Sequence, residues 1–243
     1  MSPRLRLLAT LLLGPSACSR PASTGPPSVT QSEWSRGRAS LAAARAELPS
    51  TPYVLTLAVI VREPRTGMTL DARGGLAVDP GKSLRLQLVG PGGATALDAW
   101  MSGERFRFEV PSARVVRRGR LSSNEAEGLP VGFFRFWFLS RLEGRLLFAR
   151  PTSQGTYFIL RDRDATVEMW KDLGSGHVEA ERREGGRLEQ LTVLASSSRA
   201  RPGDLAVYRE QRTGLRVEVR IEGVGEQAPD PAAFQEPSDE GIP

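Results

Sequence analysis

Long stretches in which apolar and charged residues alternate constrain the fold of this chain most strongly. The clearest are residues 84–88, 106–110 and 215–221, where every second residue is apolar. A period of two gives an extended strand one apolar and one charged face, as in half-buried antiparallel sheets. Turn sequences rich in glycine and proline separate the stretches, and connections this short have no room for the helices that parallel strands need.

We therefore predict about ten antiparallel strands between residues 53 and 223, in a mainly β fold with a few helices (α+β). An Ala- and Leu-rich stretch from about 31 to 48 predicts an N-terminal helix that Pro49 ends. Trp34, Leu41 and Leu48 are spaced seven apart, which places them on one face of that helix.

One aromatic segment interrupts the strands. If residues 131–142 (VGFFRFWFLSRL) are helical, Phe133 lies next to Trp137, and Phe134 next to Phe138, on one broad apolar face. Two interpretations remain open at this point. The segment is either a core helix that plugs the end of a barrel or a lid over an apolar cavity. Its arginines argue against a membrane span.

The N-terminus has the organisation of an export signal. Two arginines precede an apolar run at residues 7–13, which Gly14 and Pro15 then break. Ser16-Ala17-Cys18 resembles a bacterial lipobox, in which the cysteine is acylated and the signal is removed before it. Pro15 departs from this pattern, since a leucine is usual there. The alternative is ordinary signal cleavage nearby, which would leave Cys18 an incidental thiol.

These features predict four regions. Residues 1–17 form a lipoprotein signal peptide, and residues 18–30 an acylated Cys18 with a flexible tether. Residues 31–225 form one domain, and residues 226–243 an acidic, disordered tail whose deletion should leave thermal stability almost unchanged. Ser19 after the cysteine implies sorting to the outer membrane in a Gram-negative host, because an aspartate there is the usual retention signal.

Composition excludes several functional classes. A single cysteine and a single histidine exclude a disulfide framework, an iron–sulfur cluster and most histidine-based metal sites. A net charge of +5 without a basic block among aromatics is too dilute for nucleic-acid binding. Ser175 and His177 lack the spacing of a hydrolase site, and Leu76 stands where a phosphate loop ending at Ser83 needs glycine. We predict no enzyme activity, no cofactor, no metal and no nucleic-acid partner.

Two segments resemble the LolB family of outer-membrane lipoprotein receptors, and with it the related LolA-like proteins. Residues 84–97 (LRLQLVGPGGATAL) are similar to the third and fourth strands of the family and their connecting loop. Residues 128–131 (GLPV), leading to 136–139 (FWFL), resemble the family's Leu-Pro and Trp-containing helix. The resemblance implies an unclosed antiparallel β-barrel around an apolar cavity, capped by helices and without enzyme activity.

The resemblance also implies a membrane-facing loop, here Pro91, Gly92 and Gly93. The family exposes a leucine where this chain has Gly92, and glycine offers no apolar area to a bilayer, so an insertion role is weakened. For the cavity or its lid we predict seven aromatic residues, each of which is alternatively plain core: Trp100, Phe106, Phe108, Phe133, Phe134, Trp137 and Phe138.

The leading hypothesis is a monomeric, non-enzymatic carrier or receptor, anchored by its N-terminal lipid at the periplasmic face of the outer membrane. It would bind an acyl chain or lipoprotein cargo, received from a periplasmic carrier protein. The second hypothesis is a structural or assembly lipoprotein that uses the same fold to dock a protein partner. A fully packed interior favours docking, whereas an open apolar pocket favours carriage.

Overall fold

The computed structural model describes residues 30–64, 67–195 and 199–237. The predicted signal peptide, Cys18 and most of the tether lie outside these residues. One long helix, α1 (Gln31–Ala46), precedes a single sheet. Its thirteen strands are β1 (Tyr53–Glu63), β2 (Met68–Asp79), β3 (Ser83–Val89), β4 (Thr95–Ser102), β5 (Arg105–Val110), β6 (Val115–Arg120), β7 (Arg145–Pro151), β8 (Gly155–Asp162), β9 (Ala165–Asp172), β10 (Val178–Glu184), β11 (Arg187–Leu194), β12 (Leu205–Glu210) and β13 (Arg216–Val224).

Every neighbouring pair of strands is antiparallel, and the order is β6-β5-β4-β3-β2-β1-β13-β12-β11-β10-β9-β8-β7. Only the central β1–β13 pair joins strands distant in the chain. The two edges, β6 and β7, are not paired to each other, so the sheet is unclosed. They are consecutive in sequence, and the aromatic segment connects them. The predicted unclosed antiparallel architecture with few helices is confirmed.

The predicted count of about ten strands is wrong, because some strands lack an alternating pattern. Strand β6 (VVRRGR) is exposed along most of its length and places three arginines within four residues. Strand β2 carries the pair Gly74-Gly75 in its middle. Strand β6 therefore has no apolar face that alternation could identify, whereas in β2 the glycine pair interrupts an alternation in which Ala72, Leu76 and Val78 are buried.

One face of the sheet carries the core. Leucines at alternate positions of β3, Leu84, Leu86 and Leu88, are fully buried, as are Val217 and Val219 of β13. Helix α1 packs mainly on β7, where Gly37 lies so close that a Cβ atom there would be 2.6 Å from the Ala149 Cβ. Leu41 and Ala44 of α1 are buried in the same core cluster. The predicted helix is confirmed, although it ends two residues earlier than expected.

Candidate functional site

The aromatic segment forms a short helix followed by a wider turn. Helix α2 (Val131–Phe134) begins after Pro130, whose carbonyl accepts the Phe134 amide at 3.1 Å. Residues Arg135–Leu139 then form a π-helical turn, which closes with the Ser140 amide donating to the Arg135 carbonyl at 3.0 Å. The predicted continuous helix over 131–142 is therefore replaced by two turns of different width. A π turn rotates the side chains that follow it relative to a regular α-helix.

Two arginines hold this segment in place. Arg135 is buried, and its Nη1 donates to Asp162 Oδ2 of β8 at 3.1 Å. Arg45 near the end of α1 donates through Nε to the Leu142 carbonyl at 2.9 Å and through Nη2 to the Gly144 carbonyl at 2.8 Å. Gly144 has a φ of 100°, and a Cβ atom there would be 2.5 Å from the Arg161 carbonyl oxygen. Only glycine fits this junction with β7.

The beginning of the segment packs tightly against the sheet, in a region that we call the closed end. Phe133 and Phe134 are each 1 % exposed. The Phe133 ring stacks on Tyr208 of β12 at 4.8 Å between centroids. Tyr208 in turn donates its hydroxyl to Glu189 Oε1 at 2.6 Å. The closed end therefore holds a packed aromatic core that continues into a buried polar group.

Glu189 is the centre of a charge cluster at the closed end. It forms salt bridges with Arg182 at 2.8 Å and with Arg187 at 3.1 Å, and is itself 4 % exposed. Gly132 of α2 lies against it, since a Cβ atom there would be 3.3 Å from Glu189 Oε1. Burial and the neighbouring Glu189 charge raise the pKa of Tyr208. Sequence reasoning missed this cluster, because alternating Arg and Glu residues are typical of a solvated strand face.

The end of the segment borders a cavity of about 530 Å³, which we call the open end. Most of its wall is apolar. The segment contributes Trp137, Phe138, Leu139 and Leu142, and the sheet and the end of α1 contribute Leu48, Pro49, Tyr53, Leu55, Pro80, Val193, Ala195, Ala200 and Ile221. Pockets of this size and apolar character are typical of sites for small ligands.

Four charged residues also line the cavity: Arg45, Arg141, Glu143 and Asp204. Arg141 is partly buried, and its Nε lies 3.4 Å from the Trp137 carbonyl oxygen. Its guanidinium is 5.9 Å from the centroid of the Trp137 ring. Burial lowers the pKa of Arg141, while the nearby Tyr53 and Asp204 raise it. Burial also raises the pKa of the Tyr53 hydroxyl to about 12.

The structure separates the seven predicted cavity residues into three groups. Trp137 and Phe138 line the cavity at the open end. Phe106, Phe108, Phe133 and Phe134 belong to the packed core and do not line that cavity. Trp100 is buried outside the core cluster, on the opposite face of the sheet from its neighbours Ala99 and Met101. The prediction that Trp100 lines the cavity is wrong.

Trp100 is covered by the C-terminal segment. Its Nε1 donates to the Phe234 carbonyl at 2.8 Å, and Arg105 forms a salt bridge with Glu236. A 3-10 helix at Pro231–Phe234 begins at Asp230, whose side chain accepts the Ala232 amide at 2.8 Å. The expectation of a tail without regular structure is therefore wrong for Pro231–Phe234, whereas residues 238–243 lie outside the described residues. Acidic, proline-rich composition concealed a segment that caps a buried tryptophan.

The remaining sequence-predicted positions lie apart from the cavity. Gly92 and Gly93 are exposed in the β3–β4 connection, where Gly93 has a φ of 78° and the Gly90 amide donates to the Ala94 carbonyl at 2.9 Å. The Ser175 hydroxyl donates to Asp172 Oδ1 at 3.2 Å, and His177 Nε2 is 3.3 Å from Glu179 Oε1. Each side chain is engaged with a different carboxylate, and no hydrogen bond joins the Ser175 hydroxyl to the His177 ring.

A second concavity, of about 510 Å³, lies mostly on the outer face of β8 to β12. Its wall includes Tyr157 and Trp170 together with the carboxylates Glu168, Glu179 and Glu181. The Tyr157 hydroxyl donates to Glu168 Oε2 at 2.5 Å, and Arg183 Nη2 lies 2.6 Å from Glu181 Oε2. These polar groups satisfy one another, and this shallow groove is not a further apolar site. No helix in the described residues is both long and apolar enough to cross a bilayer.

Comparison with known proteins identifies the fold. No family model matches the sequence, and the search of curated proteins finds no match. Among solved structures, a LolA superfamily protein from Nitrosomonas europaea is similar with a TM-score of 0.56 at 13 % identity, covering 82 % of this chain and 97 % of the other.

Two further structures match as well. A putative outer membrane lipoprotein-sorting protein domain from Vibrio parahaemolyticus has a TM-score of 0.51 at 15 % identity, covering 82 % of this chain and 96 % of the other. A DUF1329 family protein from Desulfovibrio piger has a TM-score of 0.51 at 11 % identity, covering 84 % of this chain and 97 % of the other. The chain has a LolA-like fold, as the resemblance implied.

Proposed function

We propose that this protein is a lipid-anchored, non-enzymatic carrier or receptor that binds acyl chains or lipoproteins at the periplasmic face of the outer membrane. The observation that carries the proposal is the cavity of about 530 Å³ at the open end, with its mainly apolar wall. Burial of an acyl chain there removes apolar surface from water, at about 25 cal/mol per Å². The names of two structural neighbours, a LolA superfamily protein and a lipoprotein-sorting domain, support the same class of ligand.

Anchoring is the second part of the proposal. Cys18 would carry the acyl chains, and the tether that follows would allow the domain to reach cargo away from the bilayer. We infer a monomer that receives its cargo from a periplasmic carrier protein. The side chains of Ser175 and His177, which are engaged with Asp172 and Glu179, support a protein without hydrolase activity.

Ligand binding is tested by filling the cavity. Ala195 lines the cavity and Ala43 is exposed on α1, so Ala195→Trp and Ala43→Trp form a matched pair. We expect the wild type to bind a fluorescent fatty-acyl probe. Ala195→Trp should weaken binding at least tenfold, whereas Ala43→Trp should not change it. Melting curves of both variants establish that each is folded.

A wild type that binds no acyl probe, or an Ala195→Trp protein that binds it unchanged, would contradict the carrier proposal. The docking function would then be favoured, because the closed end is packed solid around Phe133 and Phe134. In that case the fold would present its surface to a protein partner rather than its interior to a lipid.

Anchoring is tested by Cys18→Ala. Since acyl chains supply essentially all the bilayer affinity, the variant should leave the membrane fraction or remain uncleaved. Ser16→Ala, which keeps a small residue before the cysteine, serves as the control and should still be anchored. A Cys18→Ala protein that is processed normally and stays with membranes would refute the lipid anchor.

A further inference from the structure

We propose that the cavity at the open end selects an amphiphile with an anionic end, a carboxylate or a phosphate, which binds Arg141 and the Tyr53 hydroxyl. The acyl chain would then lie along the apolar wall formed by Leu55, Val193 and Ile221. This inference rests on the proposed function, since it names the polar end of a ligand whose chain occupies the same cavity.

The four charged side chains that line the cavity differ in their hydrogen-bond and salt-bridge partners. Arg45 donates to the two backbone carbonyls of Leu142 and Gly144. Glu143 lies 3.7 Å from Arg135, and Asp204 accepts the Arg201 amide at 2.8 Å. Within the described residues, Arg141 forms no salt bridge with a carboxylate; its guanidinium contacts the carbonyl and the ring of Trp137 and interacts electrostatically with Tyr53 and Asp204. Its charge is therefore available to a ligand.

Burial makes such a charge a strong recognition element. A cation that is partly removed from water loses hydration energy, which an anion in hydrogen-bond contact restores. The guanidinium group is planar and presents paired donors, so it binds carboxylate or phosphate through two parallel hydrogen bonds. The lowered pKa of Arg141 has the same physical origin, desolvation of the guanidinium.

Tyr53, which also lines the cavity, provides a second donor. Its pKa of about 12 means that the hydroxyl keeps its proton at neutral pH. Tyr53 begins β1, whereas Arg141 follows the π turn, so sheet and segment would each contribute one donor to the same anion. Asp204 also lines the cavity, and its negative charge interacts electrostatically with Arg141.

The experiment compares ligands that differ only in charge. Palmitate and its methyl ester compete with the fluorescent acyl probe for the wild type and for Arg141→Met, which keeps the apolar stem and removes the charge. Arg145→Met is the matched control, because Arg145 is exposed and does not line the cavity. Tyr53→Phe removes the second donor alone.

We expect the wild type to bind palmitate at least tenfold more tightly than the ester. Arg141→Met should abolish this preference without changing the affinity for the ester, Tyr53→Phe should reduce it a few-fold, and Arg145→Met should retain it. Equal affinity of the wild type for both ligands, or a preference that persists in Arg141→Met, would overturn the inference and leave the proposed function intact. Failure of both ligands to bind would refute both.

A second pair of ligands identifies the kind of anion. Lysophosphatidate and monoacylglycerol share one acyl chain and differ in the phosphate. A preference for lysophosphatidate that exceeds the preference for palmitate would identify a phospholipid headgroup as the natural anion. The reverse order would identify a free fatty acid. Either preference supports the role of Arg141 only if Arg141→Met removes it.

Discussion

The closed end and the open end of the molecule are built from one aromatic segment, yet they differ in what they can do. At the closed end, Phe133 fills the interior and stacks on Tyr208. At the open end, a few residues later, Phe138 and Trp137 border a cavity of about 530 Å³. Phe133 and Phe138 are the same residue type in the same segment. What separates them is their position relative to the π turn at Arg135–Leu139.

The comparison shows why aromatic content alone does not define a ligand site. The segment must cross from strand β6 to strand β7, the two unpaired edges of an open sheet. Its first turn is fixed by packing and by Arg135 bound to Asp162, and its end is fixed by backbone hydrogen bonds from Arg45. The cavity lies beside the end of the segment, where Trp137, Phe138 and Leu142 pack on the core on one side and border the cavity on the other.

The largest expected effect separates the two ends directly. Phe133→Ala should lower the free energy of unfolding by about 3–5 kcal/mol, because it leaves a void in a fully packed region. Phe138→Ala should lower it by less than half as much, since that ring already borders empty space. Thermal and denaturant unfolding of both variants measure the difference.

Ligand binding gives the converse result for the same two variants. Phe138→Ala should change the affinity for the acyl probe, whereas Phe133→Ala, where folded, should not. Equal losses of stability in both variants would mean that the closed end and the open end are packed equally tightly.

The charge cluster provides the next largest effect. Glu189→Gln leaves Arg187 and Arg182 without their shared buried carboxylate and should destabilise the protein by about 2–3 kcal/mol. Glu181→Gln is the control, because Glu181 pairs with Arg183 on the exposed face, where ion pairs contribute less than about 1 kcal/mol. Similar melting temperatures for the two variants would contradict a structural role for the cluster at the closed end.

The sequence predicts the strands and the aromatic segment better than it predicts the site. Alternation identified the apolar face of β3, β5 and β13, because each has one apolar and one charged side. The same rule also places Trp100 correctly when it is applied strictly, since Trp100 shares its side of β4 with Asp98 and not with Met101. For Trp100, position in the alternation predicts the environment better than aromatic character does.

Arg141 and Glu189 could not have been identified in this way. Charged residues are predicted to face water, and both owe their environment to contacts that are distant in sequence. Glu189 meets Tyr208, nineteen residues away, and Arg141 interacts with Tyr53 on the first strand. The pairing of β11 with β12 brings Glu189 to Tyr208, whereas the pairing of β1 with β13 places Tyr53 beside the second half of the sheet.

Removal of the C-terminal segment tests whether the two faces of the sheet are independent. Deleting residues 230–243 exposes Trp100 and removes its hydrogen bond to the Phe234 carbonyl. We expect the free energy of unfolding to fall by about 2 kcal/mol and the tryptophan fluorescence to shift to the red, whereas the affinity for the acyl probe should not change. Trp100→Phe in the same deletion should eliminate the red shift. An altered affinity would mean that the outer face influences the cavity.

The smallest expected effect concerns acid stability at the closed end, where Glu210 ends β12 and interacts with Arg187. Burial raises the pKa of Glu210, but hydrogen bonds from the Thr213 hydroxyl and from the amides of Arg212 and Thr213 lower it below 4.5 overall. The carboxylate therefore stabilises the folded state fully at pH values above its ordinary pKa. This contribution is lost as the pH falls through the lowered pKa of the folded state.

Thr213→Val removes the hydroxyl that donates to Glu210 and accepts the Leu215 amide, and should lower the free energy of unfolding by about 1 kcal/mol at pH 7. The difference from the wild type should shrink as the pH falls below 4.5, because the folded-state pKa of the variant lies closer to the ordinary value. Denaturant unfolding from neutral to acidic pH measures how the free energy of unfolding of the wild type and of the variant depends on pH. Thr192→Val, on the outer face of β11, is the control. A difference that stays constant with pH would show that Thr213 acts through packing or through the Leu215 amide and not through the carboxylate.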